Sequence, residues 1–119
     1  MPKVHFIKEN LEVEVEKGTT ILEAARRVGA PEGDRCGGKC ACSTCHVYVI
    51  KGFENTSEIS DEEFDVLDKA FDVRSNSRLG CQAKVYGDVV VEISQESFEA
   101  FLDEHPEERE RALMLRNKR

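Results

Sequence analysis

The chain lacks any apolar stretch approaching the ~20 residues a membrane-spanning helix needs, so no membrane partner is expected. It also lacks an excess of positive charge. Lys and Arg number 17 against 24 Asp and Glu, a net charge of −7 that argues against nucleic acid and favours docking to a basic protein. The opening Met1-Pro2-Lys3-Val4-His5-Phe6 runs directly into a strand-like pattern, with neither a signal-peptide apolar core nor an Arg/Ser-rich transit segment. A reducing, cytoplasmic location is the resulting expectation. Internal repeats and low-complexity linkers are missing too. No general acid–base pair or nucleophile site stands out, so the chain is expected not to be an enzyme. What is present is 119 residues with 39% hydrophobic and 34% charged content, enough for one modest globular core and an expected monomer. Five cysteines in a reducing compartment do not read as a disulfide framework. Four of them are spaced as metal ligands.

Hydrophobic periodicity sets out the elements. Val4, Phe6, Leu11, Val13 and Val15 alternate with polar residues as half-buried strands do, and Lys8-Glu9-Asn10 predicts the turn of an opening hairpin. Thr20-Ile21-Leu22-Glu23 has the capping-box form; Ile21, Leu22, Ala25 and Val28 follow at helical spacing, and Gly29 supplies a stop. Residues 29–46 are rich in Gly, Cys and small side chains and predict a loop. Val47-Tyr48-Val49-Ile50 reads as a buried strand. Ser60 and Glu63 form a second capping box, opening a helix with Phe64, Leu67, Ala70 and Phe71 on one face. Leu79 to Val85 predicts irregular or short-strand structure, and Val89 to Ile93 a final strand. The order implies an α+β fold, helices packed on one mixed sheet, and a β-grasp arrangement fits it.

The cysteines read Cys36-x5-Cys42-x2-Cys45, then 35 residues to Cys81, with Cys40 as an extra. Four thiolates suit a binuclear iron–sulfur cluster, two per iron. A loop wrapping such a group needs small residues, and Gly37, Gly38, Ala41, Ser43 and Thr44 provide them. Glycines allow close backbone approach, so that amide N–H groups can point at sulfur. Those donors matter because the cluster and its thiolates sum to about −2, or −3 when reduced, a charge that a low dielectric punishes unless it is hydrogen-bonded.

Three other chemistries compete for the same residues. Structural zinc usually takes two close C-x2-C pairs, and only one exists here. Cys42-Ser43-Thr44-Cys45-His46 matches the haem-attachment pattern C-x-x-C-H, yet it leaves Cys36 and Cys81 idle and lacks the export signal such attachment normally needs. A thioredoxin-like redox pair needs a βαβ unit around it, which the pattern does not supply. The cluster reading alone uses four cysteines and the glycines.

Cys36-Gly37-Gly38-Lys39-Cys40-Ala41-Cys42-Ser43-Thr44-Cys45-His46, with Ser77-Arg78-Leu79-Gly80-Cys81-Gln82 downstream, resembles the adrenodoxin-type [2Fe–2S] ferredoxins, including the bacterial iron–sulfur-assembly members. The similarity covers roughly residues 3–93. It implies a β-grasp fold, a [2Fe–2S] cluster on Cys36, Cys42, Cys45 and Cys81, and one-electron transfer from a flavin-dependent ferredoxin reductase to a redox acceptor protein. Iron–sulfur cluster assembly is the expected pathway, with supply of a cytochrome P450 or other oxygenase as the alternative. Cys40 reads as a small filler of the loop. Assembly ferredoxins carry a non-ligand cysteine there, so receiving sulfur or contacting the assembly machinery stays open. A Rieske-type ligand role for His46 would need a second histidine. The resemblance instead implies a ring that hydrogen-bonds backbone and links the cluster loop to the acidic helix.

That helix has six acids, Asp61, Glu62, Glu63, Asp65, Asp68 and Asp72, against Lys69 alone. A solvated, dipole-matched face accounts for such a run. The resemblance adds docking of basic partners by Asp61, Glu62, Asp65, Asp68 and Asp72. Lys69 and Gly37 depart from the family pattern and leave the partner open. Residues 1–94 are expected to form the ferredoxin domain and 95–119 a charged helical extension. In that extension Phe98, Phe101 and Leu102 form one apolar stripe, Ala112, Leu113 and Leu115 a second, and Pro106 divides the two. A helix packed on the domain is the expectation, and truncation after Gln95 is expected to spare the cluster.

Overall fold

The computed structural model of the protein describes residues 1–33 and 44–117. Strands β1 (Lys3–Phe6) and β2 (Leu11–Glu14) form the opening hairpin, its turn closed by Asn10 at φ 54°. Val4 and Phe6 are fully buried, while β2 shows only half-buried Leu11 and Val13, as an edge strand does. Strand β3 (Thr19–Thr20) leads into helix α1 (Ile21–Val28). The caps are those the sequence predicts: Thr20 Oγ1 accepts the Glu23 N–H at 3.1 Å, and Gly29 closes the helix at φ 78°. Strand β4 (His46–Lys51) is buried from His46 to Val49, and Ile50 turns outward at 41% exposure.

Helix α2 (Asp61–Leu67) is shorter than its apolar spacing predicts. Ser60 Oγ caps it through the Glu63 N–H at 3.1 Å. Only Glu63 and Leu67 are buried, and Phe64 and Phe71 stand 62% and 73% exposed. The expected common face of Phe64, Leu67, Ala70 and Phe71 therefore does not form. Glu63 and Leu67, four apart, take the inward stripe, and the chain leaves the helix before Ala70.

Strands β5 (Ser77–Leu79), β6 (Lys84–Val85) and β7 (Val89–Ile93) follow. The main sheet runs β2-β1-β7-β4-β5, with β1 and β7 parallel and the other neighbours antiparallel, while β3 pairs with β6 apart from it. Helix α3 (Gln95–Glu104), a 3₁₀ turn at Pro106–Glu108 and helix α4 (Arg109–Asn117) complete the chain. Phe98, Phe101, Leu102 and Ala112 join the same buried cluster as the strand residues Val4, Phe6, Val47, Val91 and Ile93. Leu113, on the expected second stripe, is 36% exposed. No described helix is long and apolar enough to cross a membrane.

Candidate metal centre

Of the four expected ligands, Cys45 and Cys81 fall within the described residues; Cys36 and Cys42, with Cys40, lie outside them. The antiparallel pairing of β4 with β5 places His46 opposite Leu79. The ladder continues one step further, where the Gly80 N–H donates to the Cys45 carbonyl at 2.8 Å. Cys45, just before β4, and Cys81, two residues past β5, thus meet at one end of the sheet. The Gly80 carbonyl accepts the Leu22 N–H at 3.0 Å and the Ala83 carbonyl the Ile21 N–H at 3.0 Å, so the start of α1 pins the segment carrying Cys81.

Cys45 is buried and Cys81 partly so. Hydrogen bonding with the neighbouring Cys81 sulfur, then burial, pushes the Cys45 thiol far above its ordinary value. A metal ion at this place would favour the thiolate form of Cys45. Leu67 and Leu79 are buried beside Cys45, with Val66 packed over them, so α2 roofs the pair with apolar side chains. Gln82 Nε2 donates to Cys81 Sγ at 3.4 Å. Two juxtaposed thiols, an apolar roof and an N–H on sulfur fit a thiolate-held iron–sulfur cluster.

Four residues around the cysteines were not legible as such in the sequence. Arg78 is fully buried, and its guanidinium grips the Glu63 carboxylate at 2.7 and 3.0 Å while reaching Thr56 Oγ1 at 2.9 Å. Glu63 also accepts the Leu79 N–H at 3.0 Å, locking α2 to the strand that leads to Cys81. Spacing read Glu63 as half of a capping box, and its carboxylate turns inward instead. Glu32 is 5% exposed, and among the described residues neither carboxylate oxygen is hydrogen-bonded. Burial, and then the Cys81 thiol, raise it well above the usual carboxylate range. Gly80 has no room for a side chain: a Cβ there would collide with the Glu32 carboxylate.

His46 is fully buried, and desolvation lowers its pKa despite the nearby Glu96. Its Nε2 lies 2.8 Å from Ser77 Oγ, and its Nδ1 faces Glu96 at 3.8 Å. The link runs through these side chains rather than through backbone, and Glu96 in turn accepts the Phe71 N–H at 3.4 Å. Asp61, Glu62, Asp65 and Asp68 are exposed, the first three on α2 and Asp68 at its C-cap. Asp72 lies past the helix at φ 58° and pairs with Arg74 at 2.9 Å, so its charge is partly spent within the chain.

A family model described as a 2Fe-2S iron–sulfur cluster binding domain matches residues 4–86. A 2Fe-2S ferredoxin of Haemophilus influenzae is 44% identical over 94 residues, covering 78% of this chain and 83% of that protein. A mitochondrial adrenodoxin homolog of Saccharomyces cerevisiae is 44% identical over 77 residues, covering 64% of this chain and 45% of that protein. Among solved structures, the ISC-like [2Fe-2S] ferredoxin FdxB of Pseudomonas putida superposes at TM-score 0.74 with 43% identity, covering 80% of this chain and 94% of that one. These likenesses match the paired sulfurs at the end of the sheet: the chain belongs to the adrenodoxin-type [2Fe–2S] ferredoxins, electron carriers of β-grasp fold.

Proposed function

We propose that the protein carries one electron at a time from a flavin-dependent ferredoxin reductase to an acceptor in cytoplasmic iron–sulfur cluster assembly, its cluster held by Cys36, Cys42, Cys45 and Cys81. The observation that carries the ligand set is the meeting of Cys45 and Cys81, separated by 35 intervening residues, under one apolar roof. Bound there, the cluster supplies reversible one-electron chemistry. The chain's own part is to exclude water with Leu67 and Leu79, to place the Gln82 amide on Cys81 sulfur, and to hold the segment through Arg78 and Glu63. Support for the assembly pathway comes from the likeness to the ISC-like ferredoxin. A putidaredoxin solved in covalent complex with its reductase superposes at TM-score 0.65 with 27% identity, which supports a reductase partner. Cys40 stands outside the ligand set, so Cys40→Ser retains the cluster spectrum while Cys81→Ser loses it. Residues 1–94 act as the ferredoxin domain in this reading, with 95–119 as its helical extension.

The acidic face of α2 steers basic partners to the cluster. Asp65→Asn combined with Asp68→Asn slows reduction by the reductase in stopped flow at low salt, and the defect shrinks as ionic strength rises. Identical rates for the variant and the parent at low salt refute the steering role.

A further inference from the structure

The stretch from Ile59 to Val73 exposes Ile59, Phe64, Phe71 and Val73 at 37, 62, 73 and 46%. Large exposed apolar side chains are the raw material of protein contact sites. These four are not surrounded by neutral chain. On α2, Phe64 lies three residues after Asp61 and four before Asp68, both at helix-surface neighbour spacing to its side chain. Phe71 walls a cleft of about 510 Å³ with Thr44, Glu96, Glu99 and Asp103, between the turn after α2 and helix α3. Thr44 immediately precedes Cys45, so the cleft opens next in sequence to a proposed ligand.

We infer that Phe64 and Phe71 are the apolar anchors of the docking surface, and that their occupant is a basic protein face with an arginine seated in the Phe71 cleft. Charge complementarity selects this occupant. An aromatic face beside carboxylates is the receptor that a guanidinium fits best, stacking on the ring while its N–H fork meets the acids. Aromatic anchors ringed by polar residues also form the energetic centre of protein interfaces, where rim charges chiefly set the rate of encounter. Steering by Asp61, Glu62, Asp65 and Asp68 and anchoring by Phe64 and Phe71 are therefore separable. The inference rests on the carrier reading and names the contact chemistry of its docking face.

The test uses the cluster-loaded full chain and the flavoprotein ferredoxin reductase of the source organism as probe. Phe64→Ser and Phe71→Ser are expected to raise the reductase KM by about tenfold. That defect persists at high salt, where the Asp65→Asn/Asp68→Asn defect has closed. In both aromatic variants kcat and the spin signal after dithionite reduction stay at parental levels, which a folding defect would not allow. An unchanged KM in both overturns the inference, as does a KM defect that disappears with salt. Sedimentation showing a parental dimer abolished by Phe71→Ser overturns it as well, because the occupant is then a second copy. If dithionite reduces the parent and the reductase does not, the carrier reading fails and takes the inference with it.

Discussion

A carboxyl group that loses water without gaining a hydrogen bond disfavours its charged form, and Glu32 is in that position, 5% exposed with neither oxygen partnered among the described residues. Its pKa is raised in the folded chain, so below the ordinary carboxylate value of 4.5 both states hold the proton and nothing is lost. Above that value the unfolded chain releases the proton and the folded chain resists, so stability falls as pH climbs. Glu32→Gln removes the penalty. Its Tm, followed anaerobically by loss of cluster absorption, is expected to exceed the parental Tm at pH 8, with the gap closing toward pH 4; equal Tm values at pH 8 contradict the assignment. Gly80→Ala acts in the opposite direction, because its Cβ enters the space of that carboxylate. At this scale the sequence announced the cysteines, whose spacing is a local property of the chain. Glu32 and Gly80 gave no signal. Their roles come from a close approach between segments 48 residues apart, which no window of sequence contains.

Among the elements, α2 depends most on one interaction. Its inward stripe is only Glu63 and Leu67, and Glu63 is committed to buried Arg78 and the Leu79 N–H. Removing one partner of such a pair strands a buried charge at a cost of about 3–5 kcal/mol. Glu63→Ala is expected to lower unfolding free energy by that order in anaerobic denaturant titration and to speed cluster loss, since β5 leads to Cys81. A change below ~1 kcal/mol would show that the pair is dispensable. The capping signals read both helix starts correctly, because Thr20 and Ser60 bond amides three residues on. They failed at the end of α2. Phe64 and Phe71 have the spacing of a buried face, yet the inward stripe went to a charged residue whose partner, Arg78, is far along the chain. Burial by ion pairing leaves no hydrophobic period to read.

For the molecule as a whole, the parallel pairing of β1 with β7 draws the two ends of the described sheet sequence together, and α3 covers the result. Composition places a boundary near residue 94, but the core runs across it through Phe98, Phe101 and Leu102. Helix α3 also holds Gly33, which packs closely against Thr44. The Gly33 N–H donates to Ser97 Oγ at 2.8 Å, and a Cβ on Gly33 would lie 2.7 Å from Ala100 Cβ and 2.8 Å from the Thr44 carbonyl. Arg116 of α4 reaches back to buried Glu9 at 2.7 Å and stacks over Phe98 at 4.1 Å. These contacts revise the expected harmlessness of truncation after Gln95. Ending the chain there is now expected to reduce cluster occupancy and lifetime, whereas ending it after His105 retains α3 and most of the occupancy. Equal visible absorbance per chain in the two truncations would show that α3 does not support the cluster.

The central claim is that four thiolates, with Cys40 outside the set, hold one [2Fe–2S] cluster. Protein produced anaerobically with iron supplied, reduced by one electron and examined by electron paramagnetic resonance alongside iron and sulfide analysis, tests it most directly. About two irons and two sulfides per chain and a rhombic spin signal are expected, retained by Cys40→Ser and lost by Cys81→Ser. A colourless, iron-free or zinc-loaded protein, or a Cys81→Ser variant with the parental signal, would contradict it.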